Sequence, residues 1–185
     1  MIEDVLSDLN GNMDGTVDAL KVQLAKVRTG RANLSILDSL RIDYYGQPTP
    51  LNQVSALKVA DARLITIKPW EKSMVQVIEK AILAADLGLT PSSDGELIRL
   101  PIPPLTQERR EQLAKQVRKI GEEARVSIRG HRRSANDMLK EAESEKEITE
   151  DELHRTLTRV QDTTDAYVKK VDETIKKKED EILNG

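Results

Sequence analysis

The chain has 185 residues, 38% hydrophobic and 33% charged, which is enough apolar surface for a folded core but suits long solvated helices better than a thick β-sandwich. It has no cysteine, so disulfides, thiolate metal sites and a cysteine nucleophile are excluded, and its aromatics are Trp70 and three tyrosines. The net charge of −3 hides a segregation: residues 109–133 hold nine Lys/Arg against three Asp/Glu, and residues 140–185 hold nine against fourteen.

The chain opens Met1-Ile2-Glu3-Asp4 without a basic segment leading into an apolar one. No later run approaches the roughly 20 apolar residues that a bilayer requires, so a cytosolic protein with no membrane partner is expected. Ile2, Leu6, Leu9, Met13, Thr16, Leu20, Leu24 and Val27 follow one another by steps of three and four, which predicts a first helix over 2–28 with one buried stripe.

The pattern then changes. Leu40–Tyr44, Ser55–Val59, Leu64–Lys68 and Leu97–Leu100 read as short strands, with Gly46, Pro48, Pro50, Asp61 and Gly95 marking turns. Lys72–Ala85 shows Val75, Ile78, Ile82 and Ala85 at helical spacing. Residues 31–104 therefore read as a small α/β domain inserted into a helical one. Its crossings are Thr29-Gly30-Arg31 and Pro101-Ile102-Pro103-Pro104. Glycine permits rotation at one crossing and proline discourages regular structure at the other, so a two-stranded hinge at Gly30, Arg31, Pro103 and Pro104 is expected, against the alternative of a rigid corner.

A second stripe runs Leu113, Val117, Ile120, Ala124, Ile128, His131, Ala135, Met138 and Ala142, with Thr106 as candidate N-cap. A third runs Leu153, Leu157, Val160, Thr164, Tyr167, Val171, Ile175, Lys178 and Ile182, and begins at a capping box, Thr149-Glu150-Asp151-Glu152. Three such helices can bury their stripes only on each other. The expected fold is two-domain α+β: an elongated antiparallel three-helix bundle over 1–30 and 105–185, carrying the inserted domain.

Arg118, Arg125, Arg129 and Arg132 fall at intervals of seven, four and three, with Arg110 further round. At about 100° per residue they share an arc of roughly 100°. That makes a basic rail whose guanidinium forks suit phosphate oxygens, and Lys26, Arg28 and Arg31 would extend it if the first two long helices are antiparallel. Carboxylates such as Glu111 and Glu122 read as too few to neutralise it. Scarce aromatics argue against base stacking, so phosphate contact with a large structured RNA is the expected mode. The rival readings are a solvated face and a coiled-coil-like adaptor for a protein partner. Catalysis is not expected: His131 and His154 have no second histidine at ligand spacing, no phosphate-cradling loop is present, and neither a metal nor a cofactor is called for.

Val27-Arg28-Thr29-Gly30-Arg31-Ala32-Asn33, Asp43-Tyr44-Tyr45-Gly46, Asp86-Leu87-Gly88-Leu89 and Pro103-Pro104-Leu105-Thr106-Gln107-Glu108-Arg109-Arg110 together closely resemble the bacterial ribosome recycling factors, over essentially the whole chain. The resemblance implies an L-shaped, non-enzymatic monomer acting after translation termination. It would bind large-subunit ribosomal RNA across the tRNA sites and, with GTP-bound elongation factor G, split the ribosome. The resemblance implies RNA contacts at Arg28, Arg31, Arg110, Arg129 and Arg132, and a hinge at Gly30 and Pro103-Pro104. The chain departs from the family pattern at Gly130, usually asparagine, and at His131, usually apolar, so a slightly weaker helix is expected there.

Overall fold

A computed structural model describes all residues, Met1–Gly185. In chain order its elements are α1 (Ile2–Ala25), β1 (Arg41–Tyr44), β2 (Gln47–Pro50), β3 (Ser55–Asp61), β4 (Leu64–Pro69), α2 (Val75–Ala84), β5 (Ser92–Ser93), β6 (Ile98–Pro101), α3 (Gln107–Ser144) and α4 (Glu150–Asn184), with three short 3-10 turns in the middle region. The chain forms two compact units, Met1–Thr29 with Gln107–Gly185, and Gly30–Thr106.

The first unit is the antiparallel three-helix bundle. At about 1.5 Å per residue, the 38 residues of α3 span roughly 57 Å. Glu3 meets Arg159 and Asp14 meets Tyr167, so α1 runs along α4, while Arg118 meets Glu179 and Arg125 meets Asp172, so α3 runs against both; Thr16 on α1 also meets His131 on α3. The capping box starts α4 as its residues require: the Thr149 hydroxyl accepts from the Glu152 N–H (3.1 Å), and the Glu152 carboxylate accepts from the Thr149 N–H (2.8 Å).

The stripes differ from the expected ones in detail. Val17 is buried where Thr16 was expected, Leu139 where Met138 was, and Gly121 beside a half-buried Ile120. Helix periodicity fixes a face about two residues wide, and packing against the neighbouring helix decides which of two adjacent residues lies deeper. α1 also stops at Ala25, three residues short of expectation.

Gly121 has a packing role: a Cβ there would lie 2.7 Å from Ile175 Cγ1 and 2.9 Å from its Cδ1, whereas Gly130 has nothing within 4 Å. The same substitution should therefore have opposite effects at the two sites. Gly121→Ala should destabilise the bundle by about 1–2 kcal/mol, with overpacking outweighing the gain in helix propensity. Gly130→Ala should stabilise it by about 0.5–1 kcal/mol. Urea unfolding of the two variants checks the signs.

Tyr167 is buried and donates to Asp14 Oδ1 at 2.6 Å. Burial first, and then that bond, push its phenol up to about 12. A raised phenol pKa favours the protonated fold, so this contribution is complete below about pH 10 and is lost as pH rises towards 12. The urea midpoint should fall over that window, and fall less in Tyr167→Phe.

The inserted unit holds an antiparallel sheet ordered β3-β4-β6-β5 and a separate β1-β2 hairpin. α2 buries Val75, Ile78 and Ile82 in a core with Ile42, Ile65, Ile67, Ile98 and Leu100. β2 and β5 were not expected. Pro48 and Pro50 read as turn residues, but a strand in a two-stranded pair has a free side on which a missing N–H costs nothing.

Candidate nucleic-acid interface

α3 carries the arginines on its flank towards α4, and here the structure overturns one step of the charge reading. The Arg118 Nε donates to Glu179 Oε1 (3.2 Å). Arg125 donates to Asp172 Oδ1 (2.7 Å) and Glu122 Oε2 (3.2 Å), and Arg129 to Glu122 Oε1 (3.3 Å). The expectation of too few carboxylates is therefore wrong. It weighed acids on the same helix, while α4 supplies Asp172 and Glu179 from across the seam.

The pairing follows a ladder. Arg118, Arg125 and Arg132 recur every seven residues on α3, as do Asp165, Asp172 and Glu179 on α4, the arrangement of flanking charges in a coiled coil. Two rungs, Arg118–Glu179 and Arg125–Asp172, are closed. The register places Asp165 opposite Arg132, but Asp165 Oδ1 accepts from the Gln161 amide at 2.8 Å, and half-buried Arg132 forms no ion pair. Arg110 serves the end of α4: it donates to the Ile182 and Leu183 carbonyls (3.2 and 3.3 Å) and to Gly185 O (2.8 Å), supplying donors and positive charge where the helix leaves carbonyls unsatisfied.

Closed rungs do not remove the arginines from use. The Arg118, Asp172 and Glu122 side chains are more than half exposed, and such surface pairs are worth only about 0–1 kcal/mol. A phosphate can displace a carboxylate at that cost. Arg125 is the most enclosed; burial works against its charge, but Asp172 and then Glu122 outweigh it and hold its pKa above the ordinary value.

Arg28 and Arg31 are exposed and form no ion pair; Arg28 lies in the bundle unit and Arg31 in the inserted unit. Lys115, Lys119 and Arg133 are likewise exposed and unpaired on α3. Sequence reasoning passed over these three because it sought a single arginine flank, although the regional charge count contained them.

At the crossings, the Ala32 N–H donates to Ala62 O (2.7 Å) and the Ile102 N–H to Arg63 O (2.8 Å), so both segments are held at the β3-β4 turn. Gly30 sits at φ +80°, and a Cβ there would lie 3.1 Å from Leu105 Cγ. A side chain would be both strained and crowded at that position.

No group of three or more His, Cys, Asp or Glu is arranged to hold a metal ion. His131 Nε2 and Thr16 Oγ1 share a hydrogen bond of 3.1 Å across the α1–α3 seam. No helix is long and apolar enough to cross a membrane.

A family model described as ribosome recycling factor matches residues 20–183. The chain is 51% identical to the ribosome-recycling factor of Myxococcus xanthus over 183 residues, covering 99% of each. It is 50% identical to that of Legionella pneumophila (strain Corby), again over 99% of each. Among solved structures it is similar to a solution structure of a ribosome recycling factor (TM-score 0.72, 36% identity, 100% of this chain and 98% of that one). It is also similar to a chain from models of the T. thermophilus ribosome recycling factor and the E. coli elongation factor G bound to the E. coli post-termination complex (TM-score 0.63, 40% identity, 99% of each).

Proposed function

The chain belongs to the ribosome recycling factor family, and from that membership we propose that it takes apart ribosomes after translation termination. It binds the large subunit across the tRNA sites. With elongation factor G and GTP it then splits the post-termination ribosome into subunits, freeing mRNA and tRNA. The reading is carried by likeness along the whole chain, half its residues being identical to a relative of almost equal length. On this reading the protein is not itself an enzyme, GTP hydrolysis belongs to the elongation factor, and the site of action is the cytoplasm.

The bundle is the anchor. Arg28, Arg110, Arg118, Arg125, Arg129 and Arg132 are its candidate phosphate contacts, with Lys115, Lys119 and Arg133 alongside and Arg31 adding one from the start of the inserted unit. The inserted unit is the lever, turning on Gly30, Arg31, Pro103 and Pro104. The anchor is supported by the concentration of basic residues on α3, by weak ion pairs that phosphates can replace, and by the absence of any aromatic on α3.

Binding to purified large subunits across a salt series tests the anchor. Each phosphate contact contributes roughly −0.7 to −0.9 to the slope of log K against log salt, so the seven arginines together give a slope of roughly −5 to −6. A slope near zero would instead favour an adaptor that binds a partner helix through apolar contact.

A further inference from the structure

Three of the four aromatic side chains in the molecule lie together on one face of the inserted unit. The Tyr44 and Tyr45 rings meet edge to face at 4.7 Å, and both hydroxyls donate to the Glu71 carboxylate, one to each oxygen, at 2.7 Å. Trp70 precedes Glu71 and is 65% exposed, and Tyr45 is 76% exposed. An open pocket of about 320 Å³ is lined by Tyr44, Trp70, Glu71, Thr49, Val54 and Met74.

Exposed aromatic rings gathered into one contiguous patch, unlike apolar residues scattered singly, mark a contact surface. Tyr45 also takes φ +51° beside Gly46 in the β1-β2 turn, a conformation uncommon for a bulky residue. Its bond to Glu71 holds the ring against the patch.

The charge on the patch selects the partner. The Tyr44 and then the Tyr45 hydroxyl keep the Glu71 carboxyl below its ordinary value, so it is anionic at neutral pH. It has no ion pair of its own, because neighbouring Lys72 is committed to Glu96 at 2.8 Å. Each Glu71 oxygen has accepted one hydrogen bond and retains a second lone pair for an incoming donor. A carboxylate framed by aromatic rings repels phosphate and suits a cation that can both stack and donate.

We propose that the Tyr44–Tyr45–Trp70–Glu71 patch is a docking site for a protein partner that inserts an arginine side chain. It is separate from the arginine flank of α3 and goes beyond the RNA reading.

Trp70 is the only tryptophan, so its fluorescence reports the site directly. The full-length protein is titrated with the peptide acetyl-Gly-Arg-Gly-Arg-Gly-amide, with the same peptide carrying citrulline for arginine, and with a uridine pentamer. The expected result is a saturable change with the arginine peptide, weakened about tenfold by citrulline, by Glu71→Gln and by Tyr45→Ala. Equal binding of the citrulline peptide, or no saturable change with arginine, would overturn the proposal. Tighter binding of the uridine pentamer would also overturn it, since the patch would then be a base-stacking surface. No ribosome is present in this assay, so its outcome is independent of large-subunit affinity.

Discussion

Replacing Arg129 and Arg132 together with alanine is expected to produce the largest loss of large-subunit affinity among the charge variants. Each charge-assisted, partly desolvated contact is worth roughly 1–3 kcal/mol. Either single change should therefore weaken binding by roughly 5- to 150-fold, and the pair by more. Arg132 forms no ion pair in the free protein and gives nothing up on binding. Arg118 must first leave Glu179, so Arg118→Ala should cost less than Arg132→Ala. Affinities measured for purified large subunits at one ionic strength check both the size and the order. Unchanged affinity in both Arg129→Ala and Arg132→Ala would remove this flank from the mechanism.

The second large effect concerns the lever. The chain contains no cysteine, so a single engineered pair bridging the two units is free of competing thiols. Oxidised protein should bind large subunits normally and fail to split post-termination ribosomes, and a reductant should restore splitting. If the oxidised form still splits ribosomes, the two units need not turn on one another and the crossings at Gly30 and Pro103-Pro104 are only corners.

What the sequence made legible follows from the reach of each signal. Steps of three and four placed the three long helices, because a buried stripe repeats many times within each of them. The capping box was equally readable, being a local contact between Thr149 and Glu152. β5, only two residues long, carries no period, and β2 is half proline, so neither announced itself.

The arginine flank was found from the spacing on α3, but its neutralisation was missed because, beside Glu122 on the same helix, the acids Asp172 and Glu179 lie 47 and 61 residues away from their partners. That signal was nonetheless present. Arg118 and Glu179, Arg125 and Asp172, and Arg132 and Asp165 keep one antiparallel register, and setting the two heptad series side by side would have exposed the ladder. Arg132 as the open rung could not be read this way, because the register predicts a partner in Asp165 and the structure shows no ion pair between them. The Tyr44–Tyr45–Glu71 cluster joins residues from the β1-β2 hairpin to the segment after β4, and only the fold brings them together.

Light scattering of post-termination ribosomes mixed with the purified protein, elongation factor G and GTP reports whether this protein separates the subunits. Scattering should fall as subunits separate, a change dependent on all three additions and abolished when the protein is omitted. Scattering that stays level with all three present, or that falls equally without the protein, would contradict that role.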